Sequence, residues 1–296
     1  MIVLALVRAL RPKQWTKNLL LFAGILFSQQ LGDPQLVFAS AVGFLAFSLL
    51  AGCTYLFNDL RDVESDRIHP RKRKRPIASG ALPVPVAWAA LLPLLAIATA
   101  LAFWLGRGFV AVCATYVALN IVYSTLLRNF VLVDVFVIAL GFVLRAIAGV
   151  ELLRPLSPST EISPWLLVCT FFGALFLAFA KRRRELVNAG TAASDQRKVL
   201  EQYTPQLLDG LLLVSAAMSV MAYALYTIWP STVEKFHTEA MLYTIPFVAY
   251  GVFRYLYVLG ASESAEDPSI VLLTDRPMLV CVTVYVVAVV AILYHG

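Results

Sequence analysis

Stretches of roughly 20 mostly apolar residues, the length a helix needs to cross a bilayer, recur along the whole 296-residue chain with short polar breaks between them. Few folds can accommodate this pattern. Segments such as Ala41 to Phe57 are apolar on every face, whereas a transmembrane strand would alternate polar and apolar residues over about ten positions. At 60% hydrophobic and 14% charged residues, the chain carries more apolar surface than one water-soluble core could cover. The expected fold class is all-α: a polytopic membrane protein with nine spans at about 16–31, 36–57, 82–105, 109–127, 130–150, 164–180, 206–229, 240–260 and 277–294. No low-complexity linker interrupts it, so residues 1–296 are expected to form a single integral membrane domain.

Charge placement orients the bundle. A net charge of +6 could point to nucleic acid, but 19 of the 24 basic residues fall in alternate breaks: the N-terminus, the 58–81 and 181–205 loops, and the breaks at Arg128 and Arg276. The intervening breaks hold only Arg107, Arg154 and Lys235. The positive-inside rule then places the N-terminus and both large basic loops in the cytoplasm, with no nucleic-acid partner. Cys53, Cys113, Cys169 and Cys281 are scattered through apolar segments without paired spacing, which indicates neither a disulfide framework nor a thiolate metal site.

The densest polar signal is Asn58-Asp59-Leu60-Arg61-Asp62-Val63-Glu64-Ser65-Asp66, where the second span leaves the membrane. If the helix continues at about 100° per residue, Asp59, Asp62 and Asp66 fall within an arc of about 60°. Carboxylates so crowded repel one another unless a divalent cation lies between them. An all-oxygen ligand set suits Mg2+, which usually keeps waters and bridges to substrate phosphates. The expected metal ligands are therefore Asn58, Asp59, Asp62 and Asp66, the three aspartates carrying the catalysis. The alternative is a solvated acidic helix end paired with the basic run behind it.

That run, Arg71 to Arg75, holds five consecutive cations within fifteen residues of the acidic face. Lys72, Arg73 and Arg75 are candidate phosphate ligands; a topogenic cluster against anionic headgroups would look the same.

The pattern Asn58-Asp59-x-x-Asp62-x-x-x-Asp66, followed by Arg75-Pro76-Ile77, resembles the first signature of the UbiA superfamily of intramembrane prenyltransferases, and nine helices match that family's bundle. Most members carry a second aspartate-rich motif after the sixth helix. Here that place holds Lys181-Arg182-Arg183-Arg184-Glu185, with Asp195 ten residues further on. This departure, with Arg11 to Asn18 before the first span, Tyr123-Ser124-x-x-Leu127-Arg128, Phe142 to Gly149, and Leu273 to Arg276, resembles the decaprenyl-phosphate phosphoribosyltransferase branch. The resemblance implies transfer of phosphoribose from 5-phosphoribosyl 1-diphosphate (PRPP) to a polyprenyl phosphate, with Mg2+ as cofactor. It also implies a bacterial inner membrane, a cytoplasmic-face active site, and a product feeding arabinose donors of the cell envelope. The residues it brings forward as substrate ligands are Lys17, Tyr123, Ser124, Arg128, Lys181, Arg182, Glu185, Asp275 and Arg276. Membrane lipid is an expected partner, and association between copies of the chain is left open.

Two ionisable residues lie inside the fifth span, where a charge costs at least about 2.5 kcal/mol on insertion scales. Asp134 and Arg145 are eleven residues apart, about three turns and roughly 16 Å along one helix face, too far to pair directly. Each must meet another partner. Arg145 and Arg254 are candidate phosphate ligands, or else neutralise carboxylates or cap carbonyls. Two other functions stay open at this level: prenyl transfer to an aromatic acceptor, which the missing second aspartate cluster disfavours, and movement of an anionic lipid, which needs no magnesium chemistry.

Overall fold

The computed structural model describes residues 2–68, 72–189, 198–261, 271 and 274–295. Among them there is no strand. Twelve helices follow in chain order: α1 (Ile2–Ala9), α2 (Phe22–Phe27), α3 (Pro34–Arg61), α4 (Val63–Ile68), α5 (Val84–Leu105), α6 (Arg107–Thr125), α7 (Val133–Glu151), α8 (Pro164–Ala189), α9 (Pro205–Ile228), α10 (Pro230–Phe236), α11 (Ile245–Ala261) and α12 (Arg276–His295). In lipid every backbone polar group must be satisfied within the chain, and helices do this locally. Their starts follow from capping chemistry. Asp33 accepts from the Gln35 and Leu36 amides ahead of Pro34, and Thr204 accepts from Leu207 ahead of Pro205.

Eight of the nine expected spans are present as helices long and apolar enough to cross a membrane, the 240–260 span joining a 3₁₀ turn to α11. The segment 16–31 is not one continuous helix. A 3₁₀ stretch (Pro12–Leu21) leads into the six-residue α2. Its unbroken apolar run, Leu19 to Phe27, is only nine residues, about 14 Å of helix against a hydrocarbon core of about 30 Å. A 3₁₀ run this long is uncommon and often marks a functional position. It begins at Arg11 in the left-handed conformation, φ 54°.

The chain forms two compact units, Met1–Ser124 with Leu144–Glu161, and Thr125–Val143 with Ile162–Gly296. In the first, α3 packs on α5 and on the 3₁₀ stretch. Phe47, Leu50, Phe109, Tyr116 and Leu152 are buried in one cluster; Leu56, Ile77, Leu82 and Leu91 form a second beside α1. Two glycines permit a backbone approach that no side chain could. A Cβ on Gly24 would lie 2.1 Å from the Gly149 carbonyl oxygen, and one on Gly149 would lie 2.1 Å from that of Leu21. In the second unit α8 packs on α9 and α11 on α12, around Phe176, Phe179, Tyr203, Leu208, Tyr255 and Leu259.

Helix α3 does not run unbroken through the acidic motif. It ends at Arg61; Asp62 has φ −94° and ψ 10°, and α4 resumes at Val63.

Candidate active site

Asp59 lies in the last turn of α3 and Asp66 in α4, and both side chains are 2% exposed. Buried carboxylates need compensating cations, and here arginines supply them. One nitrogen of Arg75, Nη1, donates to Asp59 Oδ1 at 3.1 Å and to Asp66 Oδ2 at 2.7 Å, bridging the pair. Arg11 Nη2 donates to the same Asp59 oxygen at 2.7 Å, its guanidinium 4.7 Å from the centre of the Tyr55 ring. Both arginines come from non-helical backbone, and each side chain is about a third exposed. Asp66 Oδ1 is buried with no hydrogen-bond partner among the described residues.

The expected face of three carboxylates is therefore only partly assembled. Because the helix breaks at Asp62, that carboxylate takes a hydrogen bond from Arg61 Nε at 3.0 Å in a pair exposed by about 30% on each side. Among the described residues no three Asp, Glu, His or Cys side chains converge closely enough to hold a metal ion. The donors present nevertheless fit a divalent cation. Mg2+ is commonly held by one or two carboxylates, with waters and substrate phosphate oxygens completing the shell. Asp59 and Asp66 already face a shared positive charge, and Asp66 Oδ1 is an acceptor in reserve. Asp62 is one turn away, with its amide on the Asn58 carbonyl and its carbonyl accepting from the Asp66 amide, both at 2.9 Å. Its surface ion pair is of a kind contributing only about 0–1 kcal/mol.

Around this cluster, Asn58 is half-buried, and Lys72 and Arg73 stand half-buried and exposed on a 3₁₀ turn (Lys72–Lys74). Arg71 lies outside the described residues. Tyr123 and Ser124 are half-buried near the end of α6, with Ser124 Oγ 3.5 Å from Arg61 Nη1.

Arg145 is 5% exposed, in a polar network inside the first unit's core. Its Nε donates to Asn18 Oδ1 at 2.8 Å and its Nη2 to the Tyr116 hydroxyl at 2.9 Å; Asn18 Nδ2 donates to Ser48 Oγ at 2.9 Å. The faces of Phe47 and Tyr116 flank the guanidinium at 5.5 and 4.8 Å. Lys17 is half-buried one residue before Asn18.

The second unit contains the other cations. Asp134, fully buried, accepts from Arg182 Nε at 2.7 Å and from the Tyr203 hydroxyl at 2.9 Å, and Arg182 Nη1 donates to Glu185. The Leu132 amide donates to the Tyr203 hydroxyl at 2.8 Å. Burial pushes that hydroxyl up, and the Asp134 charge adds to the shift. Arg182 is thus the partner of the buried Asp134 and reaches Glu185 as well. Lys181 is half-buried, and the buried Arg184 donates to the Leu259 carbonyl at 3.3 Å. Arg254 grips Asp275 through Nε at 3.1 Å and Nη2 at 2.8 Å, so it neutralises a carboxylate. Asp275 also caps α12, accepting from the Met278 amide at 2.9 Å, and the Arg254 hydrogen bonds hold its carboxyl below the usual range. Arg128 and Arg276 are exposed; Asp195 and Leu273 lie outside the described residues.

Four participants carried no assigned role in the sequence reading: Arg11, Asn18, Tyr116 and Tyr203. Asn18 and Tyr116 could have been found as polar groups inside apolar runs. Arg11 could not, because its reach depends on a left-handed residue.

The pattern of the UbiA prenyltransferase family matches residues 19–274. A decaprenyl-phosphate phosphoribosyltransferase of Corynebacterium glutamicum is 34% identical over 295 residues, covering 98% of this chain and 86% of the relative. That of Mycolicibacterium smegmatis is 33% identical over 305 residues, covering 100% and 94%. A UbiA homologue from Archaeoglobus fulgidus, solved with GPP and Mg2+, shares the fold at a TM-score of 0.70 with 19% identity, over 98% of this chain and 99% of that one. The multi-pass helical fold, the acidic signature at Asn58 to Asp66 and the full-length similarities converge: the chain belongs to the UbiA prenyltransferase family.

Proposed function

We propose that this protein transfers 5-phosphoribose from PRPP to a polyprenyl phosphate, decaprenyl phosphate in the named relatives, and releases diphosphate. The observation that carries this reading is a buried acidic cluster, Asp59 with Asp66, in a chain whose near-full-length relatives are decaprenyl-phosphate phosphoribosyltransferases. In the second unit, the buried Asp134 and the half-buried Glu185 are already matched to Arg182.

Asp59 and Asp66, with Asp62 drawn from its weak surface pair and Asn58 beside it, would hold Mg2+. Bound there, the metal supplies stabilisation of negative charge on the departing diphosphate. Arg75, Lys72 and Arg73 bind and orient the diphosphate from its exposed side. Lys17, Arg128, Lys181, Arg276 and the Tyr123–Ser124 pair are assigned to substrate phosphates and ribose; Arg145 holds the Asn18 and Tyr116 scaffold, and Arg254 holds Asp275. Asp134 with Arg182 and Glu185, and Asp275, act by positioning. An oxygen of the lipid phosphate forms a bond to the anomeric carbon as the bond from that carbon to the diphosphate oxygen breaks, inverting the centre. The nucleophile is already anionic, so no general base is needed, and alignment with leaving-group stabilisation carries the rate.

The acidic cluster is assigned to the cytoplasmic face of a bacterial inner membrane, where the soluble donor is available. The product would feed pentose donors for envelope polymers.

The test is purified protein in detergent with labelled PRPP, a polyprenyl phosphate and Mg2+, following label into the organic phase with and without EDTA. Label should move only with metal. Consumption of a prenyl diphosphate with an aromatic acceptor, and no phosphoribose transfer, would replace this reading with ordinary prenyl transfer.

A further inference from the structure

We propose that Arg11 and Arg75 are exchangeable counter-ions: they occupy the Asp59–Asp66 carboxylates when metal is absent and are released to the diphosphate when a divalent cation takes those carboxylates. Metal and diphosphate therefore bind together, each weakly alone. The inference rests on the magnesium site described above and adds to it a role for Arg11 and an order of events.

Charge balance carries the argument. Two buried carboxylates and two guanidinium groups sum to no net charge, so the metal-free cluster has little attraction for an anion. It has little for a bare cation either, because the carboxylate oxygens Asp59 Oδ1 and Asp66 Oδ2 already accept from arginine. If a divalent cation enters, the cluster carries a surplus of two positive charges, which attracts the diphosphate polyanion; if the anion arrives first, it must draw the arginines from carboxylates that would then be buried and unpaired.

The geometry permits the exchange. Arg75 Nη1 reaches both carboxylates at once, so its departure would free an oxygen on each for a cation. Asp66 Oδ1 is buried without a hydrogen-bond partner among the described residues, an acceptor Arg11 and Arg75 leave unused. Arg75 follows a three-residue 3₁₀ turn, and Arg11 stands at the left-handed junction between α1 and the 3₁₀ stretch. Each side chain is about a third exposed, so either can swing outward without unpacking a helix.

Mn2+ replaces Mg2+ in the test, because its free aquo form is counted by electron paramagnetic resonance. The full-length protein in detergent is titrated with Mn2+, with and without inorganic diphosphate, and the loss of aquo signal to the Mn2+–diphosphate complex in protein-free titrations is subtracted. In the unaltered protein diphosphate should tighten Mn2+ binding about tenfold; Arg75→Met should bind Mn2+ alone about fivefold more tightly and lose most of the diphosphate effect. Arg11→Met, which keeps the Arg75 bridge across both carboxylates, should shift the same way by less and covers the case in which Arg75→Met does not fold. If both variants bind Mn2+ alone no better than the unaltered protein, the exchange is wrong and the metal site stands. If the unaltered protein binds no Mn2+ under either condition, the site and the exchange fall together.

Discussion

Asp62 and Asp66 sit one helical turn apart and differ in partner and burial. Asp66 is locked beneath Arg75, whereas Asp62 leans on its neighbour Arg61 at the surface. If Asp62 joins the metal only when metal is present, Asp62→Asn should lower kcat by at least about 100-fold, the scale of losing one preorganised electrostatic contact. Its thermal midpoint should move by no more than a typical surface substitution, about 0.5 kcal/mol. Normal turnover in that variant would remove Asp62 from the site. Asp59 and Asp66 are legible in the sequence because helical spacing puts them on one face, and Arg75 because it lies in the basic run that follows them. The turn at Asp62 was not legible, since no glycine or proline marks it, and Arg11 was hidden because its contact spans 48 residues. Arg145 was legible as a buried charge but not in its partners, which lie on three other segments.

Among the elements, the junction of the 3₁₀ stretch, α2 and α7 is the most constrained. Gly149→Ala would drive a methyl carbon into the Leu21 carbonyl, and backbone cannot yield as a side chain can. A destabilisation of about 1–3 kcal/mol is expected, as for overpacking elsewhere, read as a lower midpoint of thermal inactivation. Activity should suffer too, because Asn18 lies one turn before Leu21. The α12 cap makes a pH prediction. Asp275 is held below its ordinary pKa by Arg254, so its contribution is present above the unfolded carboxyl value of about 4 and is lost as pH falls through the folded one. Asp275→Asn should therefore flatten the acid limb of thermal stability against pH. Long apolar helices are readable from composition, whereas in the segment 16–31 the nine apolar residues follow Thr16, which bonds the Lys13 carbonyl, the half-buried Lys17, and Asn18, which serves the buried Arg145 network.

At the scale of the molecule, alternating basic breaks predict one orientation, with the 58–81 loop facing the cytoplasm. A cysteine replacing the exposed Ser79, in a background without the four native cysteines, should react with an impermeant maleimide in inside-out vesicles and not in intact cells. Labelling from the outer side alone would invert the topology. The membrane class and span positions were legible because lipid imposes one solution on an apolar chain; the division into two units, with α7 shared between them at Val143 and Leu144, follows from packing that no local pattern records. The length of α3 has a further consequence. Its 28 residues extend about 42 Å, while the hydrocarbon core is about 30 Å thick, so roughly a third of the helix stands among headgroups or beyond. With Asp59 in the final turn, the carboxylates of the proposed metal site sit at a depth set by hydrophobic mismatch. Turnover in reconstituted vesicles should then depend on acyl-chain length, falling in thick bilayers that draw the end of α3 toward the hydrocarbon.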